Sequence, residues 1–138
     1  MLSKDITYKD YNDVTRTKKF YFHLSKAELL ELELSTPKGI EAMYNESMAV
    51  VAKEKDNPSE SVSKEAMDVR RNVMSFFKEL ILSSVGEKST DGQKFVKTQS
   101  FREEFATSEA FSELYVELLS SKETAETFVK AVLPSGSV

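Results

Sequence analysis

The sequence contains no cysteine, no tryptophan and a single histidine, His23. Without cysteine there can be no disulfide framework and no thiolate nucleophile. A zinc centre needs three or four closely spaced ligands, which one histidine cannot anchor. A serine nucleophile needs a base beside it, and an isolated histidine rarely acts alone. We therefore interpret His23 as a packing or surface residue and expect no catalytic, cofactor or metal site.

Positive charge and long apolar runs are also scarce. The 19 Lys and Arg residues are outnumbered by 23 Asp and Glu residues, a balance that gives no general attraction to phosphate backbones or anionic lipid. Uncharged runs such as Leu80 to Gly86 and Ala131 to Val138 are far shorter than the roughly 20 residues of a membrane span. The first residues are charged every few positions and lack the apolar centre of a signal peptide. We expect a soluble intracellular protein that binds neither nucleic acid nor membrane.

Enough apolar residues are present for one core. Hydrophobic residues make up 40% of the 138, with nine Phe and five Tyr, which suits a single domain over residues 1–138. Residues 1–24 alternate with the period of a strand, Ile6 with Tyr8 and then Phe20 with Phe22 on one side. The acceptors of residues 10–13 favour a turn between the two runs. This pattern predicts an N-terminal β-hairpin.

After residue 24 the pattern becomes helical, which predicts a helical body over 25–133 and a frayed tail over 134–138. Capping boxes are predicted at Ser25, Ser100 and Ser120, each with Glu three residues later. Thr36-Pro37 and Asn57-Pro58 predict further helix starts with Pro in the first position. The longest helix is predicted from Ser59 to Val85, with Gly86 ending it in a left-handed conformation. The predicted fold is mainly α, with five or six helices and a small second hairpin near Asp91-Gly92.

The letters Gly86-Glu87-Lys88-Ser89-Thr90 suggest a phosphate-binding loop, but they do not fit one. Such a loop has Gly directly before Lys and joins a strand to a helix, whereas Glu87 intervenes here and an apolar helix precedes. The structural interpretation is a reversal at Asp91-Gly92, with Phe95 packed into the core. The carboxylates from Glu103 to Glu117 are spaced as a solvated helix face, and Asp91-Gly92 alone makes no calcium loop.

The same stretch carries a family resemblance, together with residues at both ends of the chain. The ordered set comprises Ile6-Thr7-Tyr8, Phe22 to Leu29, Val85 to Ser89, Asp91-Gly92, Phe95, Lys97, Phe105, Ala110-Phe111, Leu114, Phe128 and Val132-Leu133-Pro134. With this set the chain resembles the tail assembly chaperones of long-tailed phages that infect Gram-positive bacteria.

The resemblance implies a role without catalysis. Such proteins bind the long, apolar tape measure protein in many copies, keep it soluble, and are displaced by tail tube subunits. It implies self-association, the tail tube protein as a further partner, and a place in the host cell cytoplasm rather than in the mature virion. A longer product made by ribosomal frameshifting is common in the family. A structural virion subunit or a generic helical adaptor is the alternative, and a nucleotide-dependent enzyme ranks third.

Two sets of residues could bind such a client. Methionine is flexible and polarizable and suits surfaces that accept varied partners, although it is more often a core residue. The leucines lie so close together that a helix spreads them around its axis and exposes at least one. The partner-binding candidates are Leu29, Leu30, Leu32, Leu34, Met43, Met48, Met67 and Met74.

Self-association is predicted at the hairpin. An outer strand edge presents unpaired backbone groups to which a second copy could add a strand. The candidate residues are Phe20, Tyr21 and Phe22.

Overall fold

A computed structural model describes residues 1–56 and 64–134, with the side chains of 52–56 left out. The elements in chain order are β1 (Leu2–Lys9), β2 (Thr15–Phe22), α1 (Lys26–Ser35), α2 (Ile40–Asp56), α3 (Lys64–Ser84), β3 (Val85–Lys88), β4 (Phe95–Val96), α4 (Gln99–Ala106), α5 (Glu109–Ser120) and α6 (Lys122–Val132). The mainly α fold with an N-terminal hairpin and a small second strand pair is confirmed. The predicted helix start at Asn57-Pro58 and residues 135–138 of the predicted tail lie outside the described residues.

The N-terminal hairpin forms as the alternation predicts. Strands β1 and β2 pair antiparallel from Leu2 opposite Phe22 to Lys9 opposite Thr15. In the turn between them, the Asp10 carboxylate accepts hydrogen bonds from the backbone N–H groups of Asn12 and Val14, at 2.9 and 3.0 Å. These bonds add to two backbone bonds of the turn, from the Asp10 N–H to the Val14 oxygen and from the Asp13 N–H to the Asp10 oxygen, both at 2.9 Å. Side-chain bonds of this kind are common for Asp in turns.

The sheet continues from β2 into β3, a pairing that the sequence did not predict. Gly86 pairs with Tyr21 within β3, and the sheet order is β1-β2-β3-β4. The prediction that Gly86 ends a helix in a left-handed conformation is therefore wrong. A side chain at this glycine would place a Cβ 2.7 Å from Phe95 Cε2 and 2.8 Å from the Val96 carbonyl oxygen. Close approach of β4 is what requires glycine here.

The second reversal is confirmed at Gly92, whose φ of 74° is left-handed. The Ser89 N–H donates to the Lys94 carbonyl oxygen at 2.9 Å. The Ser89 hydroxyl accepts from the Lys94 N–H at 2.9 Å and donates to the Asp91 carboxylate at 2.7 Å. Phe95 is half-buried beside the His23 ring, with 5.9 Å between centroids. It covers Gly86 rather than entering the core as predicted.

Helix caps follow the expected chemistry at slightly different positions. The capping box of Ser25 and Glu28 is confirmed. Helix α4 is capped by Thr98 rather than Ser100, and α6 by Ser121 rather than Ser120. In each case a neighbouring hydroxyl has the extended backbone that lets it accept from an N–H in the first helical turn.

The Thr36-Pro37 start is also wrong. Thr36 ends α1, and its hydroxyl donates to the Leu32 carbonyl oxygen at 2.6 Å. Helix α2 begins at Ile40, whose N–H donates to the Glu33 carboxylate at 3.0 Å. The Glu33 carboxylate of α1 therefore caps the start of α2 in place of a side chain next to it in sequence.

One apolar core joins the sheet to the helices. Phe22 is fully buried, with ring centroids 6.0 Å from Phe105 and 5.3 Å from Phe128. The core-facing stripe of α3 is, as the spacing predicts, Val73, Phe76, Phe77, Leu80 and Ile81. A side of α3 next to this stripe faces outward, and it carries the site described next.

Candidate functional site

The structure divides the partner-binding candidates into buried and exposed groups. Leu32, Met43 and Met48 are buried, and Leu29 is half-buried against the core. The exposed side chains are Leu30 at 68%, Leu34 at 90%, Met67 at 51% and Met74 at 44%. A rigid partner can reach only this second group, which lies on two different helices.

On α1, Leu30 and Leu34 are four residues apart and so lie one above the other on the outer face. Their exposed neighbours Glu31 and Glu33 are acidic. The pair makes a small apolar spot on a single helix.

On α3, Met67 and Met74 instead line a groove. We call it the α3 groove; it has a volume of about 400 Å³ and is lined by Met67, Arg70, Arg71, Met74, Ser75, Lys78 and Tyr115. An adjoining cavity of about 190 Å³ shares two of these residues and is lined by Val50, Val51, Arg70, Val73, Met74 and Leu119. The two cavities therefore lie side by side along α3, and residues of α2 and α5 form their other walls.

The packing of α5 on α3 fixes one wall of the groove. The Tyr115 hydroxyl donates to the Met74 carbonyl oxygen at 2.9 Å, and the Tyr115 ring packs 5.4 Å from that of Phe111. Burial raises the pKa of Tyr115, so the hydroxyl keeps its proton and remains a donor. The ring is held by a hydrogen bond at one end and by aromatic contact at the other.

The rim of the α3 groove is positively charged. Arg70, Arg71 and Lys78 line it, and no acidic residue does so among the lining residues of the described chain. Arg71 is paired with the exposed Asp68 at 2.7 Å, an exposed pair of the kind that contributes little to stability. A local cationic rim stands out on a protein whose net charge is −4.

The sequence did not identify these rim residues as part of a site. The signal was available, because residues 67, 70, 71, 74 and 78 are spaced by three and four and must share one helix face. The spacing could not show that Tyr115, which lies 41 positions after Met74, forms the other wall of a groove along this face.

The self-association candidates make most of their contacts within the chain itself. The backbone of Tyr21 and Phe22 pairs with β1 on one side and β3 on the other, while Phe20 packs its ring 5.0 Å from that of Phe105. Strand β3 pairs with β2 at Tyr21 and Phe22 alone. Among the described residues, no strand therefore covers this edge of β2 from Thr15 to Phe20.

The stretch that resembled a phosphate loop has no such geometry. Gly86 and Lys88 lie in a strand, and the Lys88 ammonium sits 5.7 Å from the centre of the Tyr21 ring. His23 is partly buried, and burial lowers its pKa. Its Nδ1 is buried with no hydrogen-bond partner, and its ring packs against Phe95 rather than a nucleophile.

Among the side chains that the structure describes, those of residues 1–51 and 64–134, no group of three or more carboxylates and histidines could hold a metal ion. Over residues 1–56 and 64–134, no helix has the length and apolar character to cross a membrane.

Comparison with known proteins agrees with the resemblance drawn from the ordered residues. A family model described as phage tail assembly chaperone matches residues 1–136. No curated protein and no solved structure matches the chain.

Proposed function

The chain belongs to the phage tail assembly chaperone family, and we propose that it binds the tape measure protein, keeps it soluble and so aids assembly of the tail tube. In this role the protein performs no catalysis. The observation that carries the proposal is the family match over residues 1–136, because it spans both the sheet and the helical body.

The surface of the protein supports this role. A chaperone for a long apolar client needs apolar surface that is exposed before the client arrives. The exposed Met67 and Met74 supply it on α3, and Leu30 and Leu34 on α1. The flexible methionine side chain adapts to partners of different shape, which suits a long client whose segments vary.

We further propose that copies associate through the uncovered edge of β2. An edge strand can accept another strand by backbone pairing. Arg16, Lys18 and Lys19 lie on this strand and are exposed, and like charges at an edge weaken such pairing. Association of this kind is weak and reversible, as a chaperone that tail tube subunits must displace requires.

Co-expression tests the central proposal. The tape measure protein of the same phage genome is produced alone, with this protein, or with an unrelated helical protein of similar size. We expect only this protein to raise the soluble fraction of the tape measure protein and to elute with it from a sizing column. Unchanged solubility together with separate elution would refute the proposal.

The composition of purified particles separates the chaperone from a structural subunit. We propose that the protein acts in the host cytoplasm and is absent from the mature virion. Mass spectrometry of purified phage should then detect the tube and tape measure proteins but not this chain. Its presence at a fixed copy number would instead identify a structural subunit.

A further inference from the structure

The α3 groove has a shape and charge that specify the kind of segment it accepts. We propose that it seats one amphipathic helix of the tape measure protein, whose apolar stripe packs on Met67 and Met74 and whose flanks carry acidic residues. The proposal rests on the proposed function, since it names the client segment and the site that binds it.

The spacing of the two methionines in the α3 groove matches the repeat of a helix. Met67 and Met74 are seven residues apart on α3, a separation of about 10.5 Å along the axis. An amphipathic helix presents anchors at i, i+3 or i+4, and i+7 over the same distance, which is the usual way a helix lies in a groove. The adjoining cavity, lined by Val50 and Leu119, extends the apolar contact beyond the methionines.

The rim specifies the charge of the partner. Arg70, Arg71 and Lys78 line the groove, and Asp68 offsets the charge of Arg71, so we base the charge preference on Lys78. The Lys78 side chain is exposed, so it can reach a carboxylate on a helix lying against the methionines. Opposite charges across an interface raise the association rate and fix the register of the partner. A client helix with basic flanks is disfavoured by the same rim.

A second copy of this chain is the competing occupant. The outer face of α1 also carries apolar residues, Leu30 and Leu34, beside the acidic Glu31 and Glu33. The face offers only two leucines four residues apart, and so covers a shorter length than the two methionines span. A client helix with anchors over two turns fits the groove better.

The experiment measures binding of the full-length protein to overlapping synthetic peptides that tile the tape measure protein. One groove variant carries Met67→Asp and Met74→Asp, and a second carries Lys78→Glu. The matched controls are Val116→Asp, at an exposed apolar site on α5, and Lys122→Glu, at an exposed lysine on α6. Circular dichroism and thermal unfolding check that every variant is folded.

We expect the bound peptides to be amphipathic with acidic flanks. The double methionine variant should weaken their binding at least tenfold, about 1.4 kcal/mol. Lys78→Glu should weaken it several-fold at about 0.1 M salt and much less at about 1 M, where screening shortens to about 3 Å. Both controls should bind as the unsubstituted protein does.

Three results would overturn the groove assignment while leaving the proposed function intact. In the first, the groove variants hold the tape measure protein soluble as well as the unsubstituted protein does. In the second, binding is lost only in a Leu30→Asp, Leu34→Asp variant. In the third, the bound peptides have basic flanks. Dissociation of an oligomer of the free protein by the methionine variant would identify a second copy as the occupant. If the tape measure protein is neither bound nor solubilised, the proposed function itself fails.

Discussion

The ammonium group of Lys97 lies 2.7 Å from the Glu28 carboxylate and also donates to the Ser83 carbonyl oxygen at 2.8 Å. This contact joins residues 69 positions apart. It ties the first turn of α1 to the chain after β4 and to the last turn of α3. The Lys97 side chain is only 10% exposed, whereas that of Glu28 is 37% exposed.

Both pKa values are lowered, which favours the charged form of Glu28 but the neutral form of Lys97. Burial raises the pKa of Glu28, but hydrogen bonds from Lys97 and from the Ser25 backbone outweigh it, so the pKa lies below its usual 4.5. Burial lowers the pKa of Lys97 from its usual 10.5, and the pairing with Glu28 offsets only part of this. Because the ammonium has two acceptors within 2.8 Å, we take the pair as ionised at neutral pH.

The charge of Glu28 should therefore contribute to stability at neutral pH. Glu28→Gln keeps one oxygen that can accept from the Ser25 N–H, but it replaces the oxygen that accepts from Lys97 with an NH₂ group, so it removes the charge and one acceptor. We expect it to lower the free energy of unfolding by about 1 kcal/mol, a value reduced for the exposure of the carboxylate. Urea unfolding measures this, and Glu31→Gln, at an exposed glutamate on the same helix, should have little effect.

The pH dependence has a definite sign. A carboxyl group with a lowered folded pKa stabilises the protein above its unfolded pKa, and that stability is lost as pH falls through the folded value. The difference between the unsubstituted protein and Glu28→Gln should therefore disappear on acidification. A difference that stays constant below the pKa of Glu28 would contradict the ion pair.

Gly86 should not tolerate a side chain. In Gly86→Ala the new Cβ meets the Phe95 ring at 2.7 Å and the backbone oxygen of Val96 at 2.8 Å. Since a backbone oxygen cannot swing away, we expect a loss of about 1 to 3 kcal/mol in the free energy of unfolding. The control is Gly92→Asn, where no atom lies within 4 Å of the added Cβ and asparagine tolerates the left-handed turn. Equal losses at the two glycines would contradict the close approach of β4.

If copies associate through the edge of β2, proline should have different effects on association and folding at the adjacent residues Lys18 and Lys19. The His23 N–H donates to Ser84 on the β3 side, and N–H groups alternate along an antiparallel strand. The N–H of Lys19 therefore points to the uncovered edge, and that of Lys18 points to β1. We expect Lys19→Pro to keep the fold and lower the average mass measured by light scattering, and Lys18→Pro to destabilise the hairpin.

Salt gives an independent check on the same edge. Because Arg16, Lys18 and Lys19 repel a second basic edge, association should strengthen as salt rises. An unchanged mass in folded Lys19→Pro, at low and high salt, would show that copies join elsewhere.

Local patterns predicted the parts of the fold that depend on neighbours in sequence. The alternation around Ile6 and Phe22 was enough for the hairpin, and Ser25 with Glu28 for the start of α1. The pairing of Gly86 with Tyr21 spans 65 positions and leaves no local pattern, so the sequence predicted the second hairpin but not its pairing with β2. Glu33 capping Ile40 displaced the start of α2 for a similar reason, since a side chain from another helix made the local cap unnecessary.

The candidate site was predicted in part. Methionine content and helical spacing identified Met67 and Met74, but also Met43 and Met48, which are 1% and 7% exposed. Composition does not distinguish an outer methionine from a core one, because both satisfy the same spacing. Which face is covered depends on how α2, α3 and α5 pack together, and that is a property of the whole fold.

The methionine methyl groups offer the most direct measurement of the central claim, that a tape measure helix binds in the α3 groove. The protein is labelled with ¹³C at the methionine methyls and titrated with the tape measure protein. We predict that the signals of Met67 and Met74 shift or broaden on binding, while those of the buried Met43 and Met48 stay in place as internal controls. Binding that leaves the Met67 and Met74 signals unchanged would contradict the account.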